Sequence, residues 1–216
     1  EVEYIVNDCR PDIVFTTPAK CEMFAEVLAR LDFACQVLTE QDIPLDSIES
    51  EPAEDFEVSD VEKTMLIIYT SGTTGSPKGV MLSYKNVLFN VDSVSKSVKI
   101  FTEKRNTMIL LPLHHAFPLM GSLVAPLYVG GTVYIAEGLN AESILKTLNE
   151  GKINIIIGVP RLYELLTKGV MDVINKTWLT RGMYSFAKAV GAKWLSKLLF
   201  AKVHKKFGGH IDYLVS

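Results

Sequence analysis

The stretch TMLIIYTSGTTGSPKGVML, residues 64–82, joins an apolar run to a segment rich in glycine and hydroxyl side chains. The continuous apolar character of residues 64–70 is typical of a buried strand. Residues 80–82 predict a second strand directly after the glycine-rich segment. We therefore expect a loop between two strands, with Ser83 as the N-cap of the following helix.

This loop has the composition of a phosphate-binding site. Glycines at 72, 75 and 79 allow backbone φ values closed to other residues, so that successive N–H groups can turn toward one anion. Lys78 adds a full positive charge. Hydroxyl groups that can donate to phosphate oxygens come from Thr70, Ser71, Thr73, Thr74 and Ser76.

The loop departs from the Walker A pattern G-x-x-x-x-G-K-[ST], because Pro77 precedes Lys78 and Gly79 follows it. No helix is predicted to begin at the lysine, so no helix dipole would contribute to phosphate binding. A kinase or ATPase that uses this segment as a P-loop is the alternative from a different functional class. A flexible surface linker is the structural alternative.

The composition of the 216 residues is that of an ordinary globular protein, with 48% apolar and 22% charged residues. A net charge of -3 provides no field that would attract nucleic acid, so nucleic acid is excluded as the main partner. Cys9, Cys21 and Cys35 match neither a disulfide framework nor a C-x-x-C pair, and we expect free, buried thiols. With no membrane-span run and no signal segment, the sequence predicts a cytoplasmic location.

Strand and helix patterns alternate along the chain, which predicts an α/β fold with a mostly parallel sheet flanked by helices. The predicted strands outside the loop region are 12–15, 34–38, 108–111, 132–135 and 153–159, and the last apolar run, 211–215, also has the pattern of a strand. One predicted helix ends at Asn7, and the others span 19–31, 120–128, 140–151 and 160–166.

An acidic segment separates the chain into parts. Residues 40–62 contain ten acidic and no basic side chains, which is typical of a solvated connector. We predict that residues 1–39 end one α/β subdomain and that residues 63–216 form a second, incomplete one. Because the chain begins without Met and ends on an apolar run, we expect it to be a piece of a longer protein.

The segment 173–211 contains eight basic and no acidic residues, interleaved with aromatic side chains. One interpretation is a basic helix that makes peripheral contact with an anionic membrane surface. On a helical wheel Lys193 and Lys197 share a face but Lys188 and Lys206 do not, so the favoured interpretation is a helical hairpin with snorkelling lysines. The basic residues are Lys176, Arg181, Lys188, Lys193, Lys197, Lys202, Lys205 and Lys206.

The segment YTSGTTGSPKGV, residues 69–80, resembles the nucleotide-phosphate loop of the adenylate-forming (AMP-binding) enzymes. LPLHHAF at 111–117 resembles a second motif of that family, and GGTVYIAEG at 130–138 and INIIIGVPRLYELL at 153–166 resemble the text between its motifs. FAKVHKKFGGHIDYLVS at 200–216 is similar to the corresponding region of long-chain fatty-acid CoA ligases. The chain is thus identified with the middle of such an enzyme, within its large N-terminal domain.

The resemblance implies a two-step reaction that uses ATP, Mg2+ and coenzyme A. A carboxylate attacks the α-phosphate of ATP to give an acyl-adenylate and pyrophosphate, and the thiol of coenzyme A then displaces AMP. The implied enzyme is an acid–thiol ligase acting on a long-chain fatty acid. A ligase for an aromatic, amino or short acid is the alternative within the family.

The resemblance also assigns roles to particular residues. Ser71 to Gly79 would wrap the β- and γ-phosphates, with Lys78 following the departing charge and Thr70 reaching the metal. His115 and Phe117 would line the acyl site, although a satisfied core histidine is the structural alternative for His115. The neighbouring residue, His114, is expected to be structural.

Other parts of the family's nucleotide site would lie beyond Ser216. These are the adenine-binding motif, the acidic metal ligand, the ribose-binding aspartate and the mobile C-terminal domain. We therefore expect the 216 residues to be inactive by themselves.

Overall fold

The computed structural model describes residues 1–43, 60–72, 75–191, 201, 205 and 207–216. Most of the acidic connector 40–62 lies outside the described residues, as do Thr73 and Thr74 of the predicted phosphate loop. Lys193, Lys197, Lys202 and Lys206 of the basic segment also lie outside them. The chain divides into two units, Glu1–Val87 and Leu88–Ser216, which are described in turn.

The first unit begins with short elements that follow the predicted alternation. In chain order these are helix α1 (Val2–Cys9), strand β1 (Ile13–Phe15), a 3-10 turn (Pro18–Lys20), helix α2 (Cys21–Leu28), strand β2 (Gln36–Leu38) and a 3-10 turn (Glu40–Asp42). Strands β1 and β2 pair in parallel. The predicted helix 19–31 is shorter than expected, because its first turn is the 3-10 segment opened by Pro18.

The two strands predicted around the glycine-rich loop are confirmed. Strands β3 (Thr64–Ser71) and β4 (Pro77–Ser83) form an antiparallel pair. Both strands are longer than predicted, so the loop is shorter than the segment 69–80. Helix α3 (Tyr84–Val98) follows. Ser83 caps it as expected, because the Asn86 N–H donates to Ser83 Oγ at 3.3 Å.

The second unit is built on a four-stranded parallel sheet, ordered β6-β5-β7-β8. Its strands are β5 (Asn106–Ile109), β6 (Thr132–Ile135), β7 (Ile155–Ile157) and β8 (Tyr213–Val215). Strand β6 has the predicted bounds, and the other three strands are confirmed with shifted or shorter bounds. This confirms the predicted α/β class with a mostly parallel sheet.

Helices cover both faces of this sheet. They are α4 (Ala116–Pro118), a π-helix (Leu119–Val124), α5 (Ala125–Tyr128), α6 (Ala141–Glu150), α7 (Pro160–Ile174) and α8 (Trp178–Val190). Ile155 and Ile157 join the core cluster on one face, whereas Ile156 joins the cluster on the other. All three isoleucines are buried because successive strand residues point to opposite, covered faces.

One side chain ties helix α7 to strands β7 and β8. The Tyr163 hydroxyl lies 2.9 Å from the backbone oxygen of Ile156 and 2.7 Å from that of Val215, and donates its proton to this pair of carbonyls. Burial raises the pKa of the Tyr163 phenol. The hydroxyl therefore stays a hydrogen-bond donor at neutral pH.

The cysteine prediction is half right. Cys9, Cys21 and Cys35 are free thiols, but each is partly exposed, because this short-element part of the chain buries few side chains completely. No helix among the described residues is long and apolar enough to cross a membrane.

Candidate functional site

The hairpin of β3 and β4 brings two predicted site residues side by side. Thr70 lies directly opposite Lys78 in the antiparallel register, and Ser71 opposite Pro77 forms the last pair before the loop. Residues directly opposite each other project from the same face of such a pair, with Cβ atoms about 5 Å apart. Thr70 and Lys78 are both exposed. A hydroxyl and an ammonium group therefore share one face at the mouth of the loop.

Two glycines are required by the loop itself. The Gly75 N–H donates to the Gly72 carbonyl at 3.1 Å, and Gly75 has φ of 90°, which side chains rarely permit. A Cβ on Gly72 would lie 2.5 Å from the backbone oxygen of Ser76. The predicted role of glycine in shaping this turn thus has a steric basis, and the exposed Ser76 hydroxyl lies within the same turn.

Lys78 has no ion pair or hydrogen bond within the part of the chain that the structure describes. Lys85, at the start of α3, instead donates to Glu62 Oε1 at 2.6 Å, and this hydrogen bond raises its pKa. The positive charge of Lys85 is thus compensated by a carboxylate. Lys78 lies in a strand, and no carboxylate among the described residues compensates its charge.

The other face of the hairpin carries a contact that the sequence did not predict. Tyr69 pairs with Gly79, and a Cβ on that glycine would lie 3.1 Å from the Tyr69 ring. The Tyr69 hydroxyl donates to Asp8 Oδ2 at 2.6 Å. Burial, followed by the hydrogen bond to Asp8, raises the pKa of the Tyr69 phenol. No local signal indicates this pair, because 61 residues separate its members.

His115 and Phe117 belong to the second unit. His115 precedes α4 as its N-cap residue, and its carbonyl accepts a hydrogen bond from Leu119 N at 3.1 Å. Both side chains are exposed. His115 is therefore no buried core histidine, and its ring lies 4.2 Å from that of His114, which is also exposed.

A π-helix follows these two residues. The sequence predicted an α-helix over 120–128, but the helical segment begins at Ala116 and widens into a π-turn over Leu119–Val124. Pro126 has no N–H to donate to the Ser122 carbonyl, and this missing bond favours a widened turn. A Cβ on Gly121 would lie 3.4 Å from Ile157, so the π-turn packs closely on β7.

Thr70 was predicted to reach a metal. Its hydroxyl is one neutral oxygen, whereas Mg2+ takes octahedral oxygen ligands and usually keeps waters and substrate phosphates among them. Among the described residues, no three His, Cys, Asp or Glu side chains converge as a metal site would require. Thr70 therefore fits Mg2+ only as a supplement to phosphate oxygens.

The family model of the AMP-binding enzymes matches residues 1–215. The chain belongs to this family. The resemblance found in the loop and in the motif at 111–117 is thereby confirmed over the whole chain.

Relatives in this family include several acyl-CoA ligases. The long-chain-fatty-acid–CoA ligase ACSBG2 of Homo sapiens is 35% identical over 140 residues, which cover 63% of this chain and 21% of that protein. The mitochondrial malonate–CoA ligase ACSF3 of Bos taurus is 28% identical over 195 residues, which cover 88% of this chain and 32% of that protein. The chain thus spans about a fifth to a third of these relatives' lengths.

The fold of the family is also seen in solved structures. The ATP-bound MatB of Rhodopseudomonas palustris superposes with a TM-score of 0.65 at 21% identity, covering 100% of this chain and 41% of that chain. The parallel sheet flanked by helices is therefore the fold of adenylate-forming enzymes.

Proposed function

We propose that this chain forms the phosphate-binding part of an AMP-forming acid–thiol ligase that activates a fatty acid with ATP. The carboxylate attacks the α-phosphate, pyrophosphate leaves, and the coenzyme A thiol then displaces AMP to form the thioester. The observation that carries the proposal is Lys78, which has no counter-charge among the described residues and lies beside Thr70 at the mouth of a glycine turn. Membership of the AMP-binding family supports it.

The geometry suits the electrostatic demand of the first step. Negative charge moves onto pyrophosphate in the transition state, and a positioned cation lowers the energy of that charge. Because Lys78 is anchored in a strand, only its side chain must be ordered when ATP binds. The hydroxyls of Ser71 and Ser76, which flank the Gly72–Gly75 turn in sequence, donate to phosphate oxygens.

Thr73 and Thr74 complete the proposed phosphate loop, and Gly79 follows it within β4. Thr70 would supplement the phosphate oxygens that hold Mg2+. Mg2+ supplies charge neutralisation when it is bound. We propose that His115 and Phe117 line the acyl site, because both are exposed and Phe117 is apolar.

The acyl substrate is the least constrained part of the proposal. Similarity of residues 200–216 to long-chain fatty-acid CoA ligases supports a long-chain acid, and so does the human relative. The bovine relative acts on malonate, so a ligase for another carboxylic acid is the second candidate. A P-loop kinase is disfavoured because Lys78 lies within strand β4 rather than at the start of a helix.

The test is a product and exchange assay on the full-length protein. We expect AMP rather than ADP, and a fatty-acid-dependent exchange of pyrophosphate into ATP. Lys78→Ala should slow this exchange about 100-fold or more, as for other preorganised charge-stabilising groups. Lys85→Ala is the matched control, since Lys85 is paired with Glu62, and it should retain the rate.

The outcomes separate the alternatives. ADP as the product would favour the kinase, and equal rates for Lys78→Ala and Lys85→Ala would contradict the role of Lys78. A preference for a short or aromatic acid would shift the substrate within the family. His115→Ala with normal adenylate and thioester rates would remove His115 from the site. The isolated 216 residues should show no exchange.

A further inference from the structure

Helix α8 carries an apolar face that no described part of the chain covers. Trp178 is 82% exposed and Phe186 is 59% exposed, and Leu179 and Val190 are exposed as well. Apolar side chains are seldom this exposed in a group on a soluble surface unless the surface binds a partner. The residues of α8 therefore indicate an interaction surface.

The exposed residues follow helical spacing. Steps of four along α8 lead from Trp178 to Gly182, Phe186 and Val190, and Leu179 lies beside this stripe. The opposite side of the helix packs inward, with Ala187 buried and Met183 and Tyr184 half-buried. The outward face of α8, defined by Trp178, Leu179, Gly182, Phe186 and Val190, is thus apolar throughout.

Both ends of α8 are capped, so this face belongs to a well-formed helix. Thr180 N donates to Thr177 Oγ1 at 3.2 Å at the first turn. At the last turn Gly191 N donates to the Ala187 carbonyl at 3.0 Å, and Gly191 adopts φ of 68°. The exposure of the face is therefore not a result of a frayed helix end.

The charge on α8 and directly before it identifies the kind of partner. Lys176, two residues before α8, and Arg181, on α8, are both exposed, and the sequence from 173 to 211 contains no Asp or Glu. A second copy of this chain would bring the same positive charge to the contact, which disfavours self-association. Anionic lipid attracts such charge, while apolar and Trp side chains enter the headgroup region.

We propose that the outward face of α8 docks on the surface of an anionic lipid bilayer. The 13 residues of α8 extend about 20 Å, so the helix would lie along the surface with its apolar face toward the acyl chains. This proposal is independent of the reaction proposed above, because it uses none of the hairpin residues.

Vesicle co-sedimentation tests the contact. The full chain should bind vesicles of phosphatidylcholine mixed with phosphatidylglycerol, bind phosphatidylcholine alone far less, and be released by salt. Trp178→Ala should weaken binding about tenfold, since it removes a large apolar side chain from the contact. Phe89→Ala removes an aromatic side chain on α3 that is 75% exposed, and should leave binding unchanged.

Gly182 provides a pair of variants that keep the fold. A Cβ there would meet nothing within 4 Å, and both Glu and Lys favour helix more than Gly does. Gly182→Glu and Gly182→Lys differ by two charges on the docking face. We expect their affinities for the anionic vesicles to differ about 30-fold in favour of Lys.

Three results would overturn the proposal. The first is no binding to the mixed vesicles at low salt, and the second is equal binding by the Gly182→Glu and Gly182→Lys variants. The third is a dimer in sedimentation equilibrium that Trp178→Ala or Gly182→Glu dissociates, which would make the face a protein interface.

Discussion

The hydrogen bond between Tyr69 and Asp8 is expected to stabilise the base of the proposed phosphate loop. It joins α1 to β3 on the face opposite Lys78, with 2.6 Å between the two oxygens. Hydrogen bonds to a charged group contribute about 1.5–3 kcal/mol. Because Asp8 is exposed, solvent screens the carboxylate and reduces the expected coupling to about 1 kcal/mol.

A double-mutant cycle measures this coupling. Tyr69→Phe, Asp8→Ala and the double variant are compared by urea unfolding, with hydrogen exchange of the β3 and β4 amides as a local readout. Each single substitution should cost about 1 kcal/mol, and the second should add little once the first is present. A coupling within about 0.3 kcal/mol of zero would refute the reasoning, because independent sites add to that precision.

The pairing of Tyr69 with Asp8 also makes the stability of the fold depend on pH in the alkaline range. The folded-state pKa of Tyr69 is raised above its unfolded value of about 10. Its contribution to stability is complete below pH 10 and is lost as pH rises through the folded pKa, since the unfolded phenol ionises first. The Tyr69→Phe variant should therefore lose less stability above pH 10 than the parent does, as measured by urea midpoints.

Three further substitutions test the packing. Gly72→Ala places a Cβ 2.5 Å from the Ser76 oxygen, so the loop must shift and ATP affinity, measured by calorimetry on the full-length protein, should fall about tenfold. Gly208 has φ of 80°, and the Cβ of a Gly208→Ala variant would overlap the backbone carbonyl of Leu148. The free energy of unfolding, measured with urea, should therefore fall by about 2 kcal/mol or more. Tyr163→Phe removes the donor that the Ile156 and Val215 carbonyls share, and the free energy of unfolding should fall by about 1 kcal/mol in the same assay. Unchanged values would contradict each of these steric or hydrogen-bond arguments.

Much of the fold could be predicted because its signals are local. The apolar run before the glycine loop predicted β3, the Ser83 cap predicted the start of α3, and residues 132–135 predicted β6 with its observed bounds. These predictions depend on side-chain period, capping and turn residues, which act over a few positions. The bounds of the longer helices were less accurate, because packing extends or shortens a helix beyond its local pattern.

The candidate site, like the fold, could be predicted from the sequence only in part. The motif at 69–80 was enough to predict the family, which the match over residues 1–215 confirms. The phosphate loop, predicted from residue types, stays a prediction. The partnership of Lys78 with Thr70 depends on cross-strand register, and the bond from Tyr69 to Asp8 depends on how α1 packs. The periodicity of a sequence does not predict contacts between residues that are far apart in the chain.

By itself, the sequence determined the order of strands and helices, the chemistry of the glycine loop and the family. Tertiary structure decided the direction in which side chains point: Lys78 toward one face of the hairpin, Tyr69 toward the other, and the apolar stripe of α8 outward. The direction in which a side chain points depends on which surfaces of the elements pack together. The sequence does not show whether an apolar side chain is buried or exposed. For Trp178, only the packing of α8 shows that the side chain is exposed.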